Sequence, residues 1–151
     1  MEQEKLSKIK EITEELVAAM GLDGRATVVE ISDTGAAVQI ASQEAGYLIG
    51  RNGDNLNALQ QLVRALVSKK IIDAPRLTLD VNNYQQERME RFKDAALGAA
   101  RQVLEGGYSR SLPPMNAYER RVVHTTLAEM PGIKTESEGE GEERRIVIRP
   151  A

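Results

Sequence analysis

Gly50-Arg51-Asn52-Gly53 is the stretch of this sequence whose residue types best suit the holding of a phosphodiester. Two glycines let a backbone pass close to a phosphate without Cβ clashes. Helical periodicity resumes directly after the loop, so the open N–H groups and positive dipole end of the next helix face whatever the loop holds. Arg51 adds charge and a forked donor, and Asn52 adds neutral donors. Ile49 leads into the loop from the helix before it. A plain bend between two helices uses the same residue types, because Gly-x-x-Gly also recurs by chance.

A second candidate lies at Arg120-Arg121-Val122-Val123-His124. Arg120 and His124 are one helical turn apart, on the flank of a stripe formed by Val123, Leu127 and Met130. A cation and an imidazole exposed together hold one phosphate, or let the ring stack on a base. An amphipathic helix with an incidental polar pair is the alternative. Tyr47 and Tyr118 adjoin the two motifs. They are read as partly buried packing residues with wet hydroxyls, with stacking on bases as the second reading. Arg88, Arg91 and Lys93 are read as an ordinary solvated helix face with pairs such as Glu87–Arg91. A phosphate track is the other possibility for that face.

Composition removes other chemistries. The chain has no Cys and one His, so thiol nucleophiles, cysteine zinc sites and clustered imidazoles are excluded. Only 3 % of residues are aromatic, which argues against a base-stacking sheet. Gly46 to Gly53 lacks the Gly-Lys-Ser/Thr ending of a P-loop. His124 as a general base with Arg120 steadying an anion defines an enzyme alternative, and no metal-binding carboxylate pair stands out beside it. Neither a catalytic residue nor a metal or cofactor site is assigned. Net charge is −3, but unevenly spread: −5 over residues 1–50, +3 over 51–131 and −1 over 132–151. The middle is the only net-basic part, and both motifs lie in or against it. Glu136 to Glu143 reads as an acidic hairpin tip that would point a nucleic-acid face elsewhere. The start of the chain is acidic and polar, and no apolar run approaches the roughly 20 residues of a membrane span. A cytoplasmic protein without membrane insertion is expected.

The elements that must position these residues follow from periodicity. Leu6, Ile9, Ile12, Leu16, Val17 and Met20 mark a helix that Gly21 stops. Arg25 to Ile31 and Ala36 to Ala41 read as strands joined by the turn Ser32-Asp33-Thr34-Gly35. A short helix is expected over Ser42 to Ile49. After the glycine loop, Leu56, Leu59, Leu62, Val63, Leu66 and Val67 mark a strong helix. Arg76 to Val81 alternates as a half-buried strand. Asn82-Asn83 opens a long helix to about Glu105, with Met89, Phe92, Ala96, Ala99 and Val103 inward. Tyr108 to Leu112 reads as a short strand. Asn116 and Glu119 form a capping-box-like start to a helix reaching about Met130. A hairpin closes the chain, with arms at Ile133 to Glu138 and Arg144 to Arg149.

The order α-β-β-α-α-β around Gly46 to Gln60 resembles a type II KH domain, over residues 1–81. Such domains clamp about four nucleotides of backbone with this loop. Residues 82–151, with Leu112-Pro113-Pro114-Met115-Asn116 leading into Arg120-x-x-x-His124, resemble an R-three-H domain, a single-stranded nucleic-acid-binding module. The pair in this order resembles the bacterial Jag family, also called KhpB, EloR or SpoIIIJ-associated proteins. The resemblance implies an α+β fold, the KH part being followed by a small α/β domain with a mixed or antiparallel three-stranded sheet. It implies binding of single-stranded RNA, with single-stranded DNA left open, through Ile49, Gly50, Arg51, Asn52, Gly53, Tyr118, Arg120, Arg121 and His124. It also implies post-transcriptional control linked to cell elongation and envelope growth, and pairing with a small KH-only protein. Many members carry a further N-terminal domain, whose roles, phosphorylation control included, are not implied for these residues. A protein–protein adaptor that dimerises through the KH part is the rival from another class.

Overall fold

A computed structural model describes residues 1–151. They form two compact units, Met1–Gln85 and Gln86–Ala151, each with its own core. The elements of the first unit are α1 (Gln3–Ala19), β1 (Arg25–Ser32), β2 (Gly35–Ala41), α2 (Ala45–Ile49), α3 (Asp54–Lys70) and β3 (Arg76–Val81). This is the α-β-β-α-α-β order of a type II KH domain.

The first sheet runs β1-β2-β3, antiparallel between β1 and β2 and parallel between β2 and β3. A parallel neighbour requires a crossover, and α2, the glycine loop and α3 supply it. Period-2 alternation sends Ala36, Val38 and Ile40 of β2 and Leu77, Leu79 and Val81 of β3 to one buried face. Register aligns them in rows, Val38 beside Leu79 and Ile40 beside Val81. Ile9, Ile12 and Val17 of α1 and Leu56, Leu59, Val63 and Val67 of α3 complete this core. Leu62, expected on the same stripe, is 52 % exposed. It lies about 100° round the helix from the centre of the Leu56–Val67 stripe. Gly21 ends α1 as expected, at φ 77°. Its N–H donates to Ala18 O and that of Leu22 to Val17 O, a Schellman close.

Helix α2 starts three residues later than its sequence predicts. Ser42 is held in a turn: its hydroxyl donates to Asp23 O and accepts from Glu44 N, while the Asn82 side chain bonds both its N–H and its C=O. Asn82 and Asn83 occupy the left-handed region at φ 49° and 59°, which Asn tolerates better than most residues. They make the turn after β3. The Asp80 carboxylate, not an asparagine, accepts the Gln85 N–H in the first turn of the following helix.

That helix is α4 (Tyr84–Gly106), followed by β4 (Arg110–Ser111), α5 (Ala117–Leu127), β5 (Ile133–Glu138) and β6 (Arg145–Pro150). The second sheet is antiparallel throughout, in the order β4-β6-β5. Its core joins Ala96, Ala100 and Val103 of α4, Leu112, Met115, Val123 and Leu127, and Ile146 and Ile148 of β6. Ala100 takes the fully buried place expected of Ala99, which packs at the edge. The strand expected over Tyr108 to Leu112 shrinks to two residues paired with Ile148 and Val147. The predicted Glu87–Arg91 pair does not form, and Lys93 meets Glu90 instead. No helix is long and apolar enough to cross a membrane.

Candidate nucleic-acid interface

The glycine loop is built by backbone geometry. Gly50 caps α2 at φ 72°, ψ −174°, a combination essentially reserved to glycine. A Cβ there would lie 2.6 Å from Asn55 Cγ. That amide is itself fixed, because Asn55 Nδ2 donates to Tyr47 O at 2.9 Å. Asn52 sits in the left-handed region (φ 53°, ψ 23°) and Gly53 beside it at φ 81°. The loop is thus a single tight turn tied across its base by Asn55.

Helix α3 begins directly at this turn. Its N-cap is Gly53, and no side chain caps its first turn; the Asp54 N–H donates to Arg51 O, and the amides that follow are left for an incoming acceptor. Arg51 is exposed and makes no ion pair. Asp54 in the first turn complements the helix dipole but also sets a negative charge at the loop's edge. Ile49 packs partly buried against the core and anchors the loop from below. Tyr84 was not singled out by sequence reasoning. Its ring carbon Cε1 lies 3.2 Å from where a Gly53 Cβ would stand. Nothing in its local sequence signals this role, because the contact depends on the turn after β3.

Tyr47 is 71 % exposed and Tyr118 is 66 % exposed. Neither is the partly buried packing residue that was expected. Both present most of a ring to solvent, the first within the α2 turn beside the loop and the second in the first turn of α5.

The second candidate is more embedded than its sequence implies. Arg120 and His124 are half-buried, and each is already bonded within the chain. Arg120 Nη1 donates to Met115 O at 2.7 Å. His124 Nδ1 lies 2.6 Å from the Thr135 hydroxyl on β5. These bonds fix the orientation of both side chains and leave His124 Nε2 and the remaining guanidinium donors of Arg120 without an internal partner. Arg121 is exposed, and its carbonyl accepts from the Thr125 hydroxyl. Thr135 is the neighbour of the candidate pair that sequence reasoning missed. It is brought to His124 by the sheet, not by spacing.

The start of α5 is set by a capping box: Asn116 Oδ1 accepts from Glu119 N at 2.8 Å, and the Glu119 carboxylate accepts from Asn116 N at 3.3 Å. Such a cap contributes about 1 kcal/mol. Glu119 is buried, and Arg88 of α4 pairs with it, Nε to Oε1 at 3.2 Å. Arg88 also lies over the Phe92 ring at 5.2 Å. It belongs neither to a solvated face nor to an open phosphate track. At the far side, Arg149 pairs with Glu138 and Glu136 across β5 and β6. Those bonds, the hydrogen bond to Glu138 foremost, hold the Arg149 guanidinium above its ordinary pKa. They also neutralise part of the acidic hairpin.

Replacing Gly50 with Ala is expected to destabilise the first unit by about 1–3 kcal/mol through backbone strain and to break the Asn55–Tyr47 tie. Thermal unfolding followed by circular dichroism checks this. An unchanged melting temperature would mean that the loop relaxes freely.

A mixed-sheet KH fold carrying a glycine loop at a helix N-terminus, joined to a small antiparallel domain bearing Arg-x-x-x-His, defines a two-domain architecture of known type. Residues 7–80 match the KhpA/KhpB KH domain, and residues 90–150 match the R-three-H domain. The chain belongs to the KhpB family, which joins these two domains. It is 38 % identical over 111 residues to a Clostridium symbiosum protein named RNA-binding protein KhpB, covering 74 % of this chain and 50 % of that one. The protein of that name from Bacillus subtilis (strain 168) is 38 % identical over 111 residues, covering 72 % of this chain and 53 % of its own. That from Streptococcus pneumoniae serotype 2 is 33 % identical over 111 residues, covering 74 % and 34 %. The chain therefore spans about half, or less, of the length of these relatives.

Proposed function

We propose that this chain binds single-stranded RNA through two small sites, one in each unit. The observation that carries this reading is the Gly50–Gly53 turn. It combines a glycine-only backbone at Gly50, a helix α3 whose first turn carries no side-chain cap and an exposed Arg51 without an ion pair. That set of donors suits a phosphodiester and reads no base by itself. Ile49, Gly50, Arg51, Asn52 and Gly53 form the first site, with Tyr47 as a stacking surface. Arg120, Arg121, His124 and Tyr118 form the second. Each site alone is weak, and tethering makes the second contact effectively intramolecular. The names of the relatives support the same reading. DNA selectivity depends on contacts to the 2′-OH, which a backbone clamp does not supply.

The wider role we infer is that of a cytoplasmic bacterial post-transcriptional regulator tied to cell elongation and envelope growth, partnered by a small KH-only protein. An adaptor role for the first unit draws on its outer sheet face, where Val29 and Ile31 are exposed. Sedimentation with and without RNA separates the two: a dimer that RNA does not alter, in a chain that fails to bind RNA, favours the adaptor. Catalysis is not part of the reading. His124 is oriented by a threonine hydroxyl, whereas a general base is usually steadied by a carboxylate.

Ultraviolet cross-linking to a single-stranded RNA pool tests the two-site reading. Cross-linked peptides containing Tyr47 and Tyr118 are expected, and adducts confined to other segments would contradict it. Thr135→Val is expected to weaken RNA binding a few-fold, the loss of one hydrogen bond of about 1 kcal/mol, with the fold intact. Affinity measured by anisotropy checks this, and equal affinity would remove Thr135 from the site.

A further inference from the structure

We propose that a slot in the second unit, apart from the Arg120–His124 pair, receives a single unstacked nucleobase. This inference rests on the RNA-binding reading. Helix α4 offers Arg88, Arg91, Phe92 and Ala95 at helical spacing along one wall, and Leu112 and Pro113 close the other. The cavity is half-open, with a volume of about 210 Å³ and nearly apolar walls. Its floor includes Phe92, the only phenylalanine in the chain. Arg88 lies over the Phe92 ring, and a flat heteroaromatic ring suits the slot because a base face lies on a guanidinium plane as it does on an aromatic one.

Charge identifies the occupant. The rim carries Arg91, which is exposed and makes no ion pair, so a cation stands beside an apolar recess. A nucleotide supplies both complements at once: an apolar ring face and an anionic phosphate. Arg88, which lines the slot, pairs with Glu119 of the α5 capping box, so the slot is anchored to the helix that bears Arg120 and His124.

Ala95→Leu tests this. Ala95 is exposed, and Leu keeps the helix while filling the recess. The probe is an eight-nucleotide single-stranded RNA with a terminal fluorophore, compared with a series in which one base at a time is abasic. Ala95→Leu is expected to weaken binding of the intact RNA about tenfold, the scale of one base–aromatic stack. One abasic position is expected to cost wild type a similar factor and Ala95→Leu nothing further, because both remove the same contact. Arg91→Ala, which leaves the recess open, is expected to weaken binding a few-fold and to lower its salt dependence. Unchanged affinity in both variants, with wild type binding RNA, overturns the slot alone. So does a loss in Ala95→Leu that no abasic position reproduces. If Ala95→Leu alters self-association while RNA affinity stays constant, a protein occupies the slot and the proposal fails. Wild type that binds no single-stranded RNA overturns the RNA-binding reading itself, and the slot with it.

Discussion

Exchanging Arg51 and Asn52 together for aspartate is expected to weaken single-stranded RNA binding on the order of 100-fold, while both units stay folded. The loss corresponds to two charge-assisted contacts, together about 3 kcal/mol. The fold is expected to hold because the side chain of Arg51 is exposed and outside any ion pair, and Asp tolerates the left-handed conformation of residue 52 nearly as well as Asn. The exchange turns a cationic turn into an anionic one at the open end of α3, where Asp54 already stands. Salt dependence is expected to flatten, since each lost phosphate contact removes about 0.7 from the slope for a single strand. Anisotropy against salt measures both. Unchanged affinity and slope would mean that the loop is a plain bend.

The largest expected effect on stability belongs to Arg88→Ala. The Arg88 and Glu119 side chains are 20 % and 7 % exposed, and their ion pair joins α4 to the capping box of α5. Removing the guanidinium leaves a buried carboxylate without its cation, at a cost of about 3 kcal/mol. For a unit of this size that corresponds to a fall in melting temperature of roughly 15 °C. The double change Arg88→Ala with Glu119→Gln is expected to recover much of it. The amide oxygen keeps one of the two bonds from Asn116, and no charge is stranded. Calorimetry of the set forms a double-mutant cycle, with the transition of residues 1–85 as an internal reference. A single variant as stable as wild type, or a double no better than the single, would contradict this account of the pair.

Periodicity made the helices and strands of the first unit legible because one face of each is buried and the other wet. Val38, Ile40, Leu77 and Leu79 declare their face by alternation alone. Legibility fell in both units where tertiary bonds override local pattern. Ser42 reads as a helix start, yet its hydroxyl is taken by Asp23 and Glu44. Arg88 reads as a surface charge on a helix, and only the fold brings Glu119 to it. The candidate site divides in the same way. The glycine loop could be read directly, because Gly50 and Gly53 follow from backbone conformation and Arg51 from its place between them. The capping box could be read too, because its partners lie three residues apart. Thr135, Tyr84 and the slot beside Phe92 could not. Each depends on segments brought together from far along the chain. The exposure of Tyr47 and Tyr118 also depends on packing, and a tyrosine's sequence neighbourhood does not reveal whether its ring is covered.

The central claim is that two sites on this chain hold one RNA strand. The most direct test is anisotropy of a labelled single-stranded RNA pool, at several salt concentrations, for wild type, Arg51→Asp/Asn52→Asp and Arg120→Ala/His124→Ala. The account predicts saturable, salt-sensitive binding by wild type and marked weakening in each variant, with circular dichroism unchanged. Binding that survives in both variants, or no binding by wild type at low salt, would contradict it.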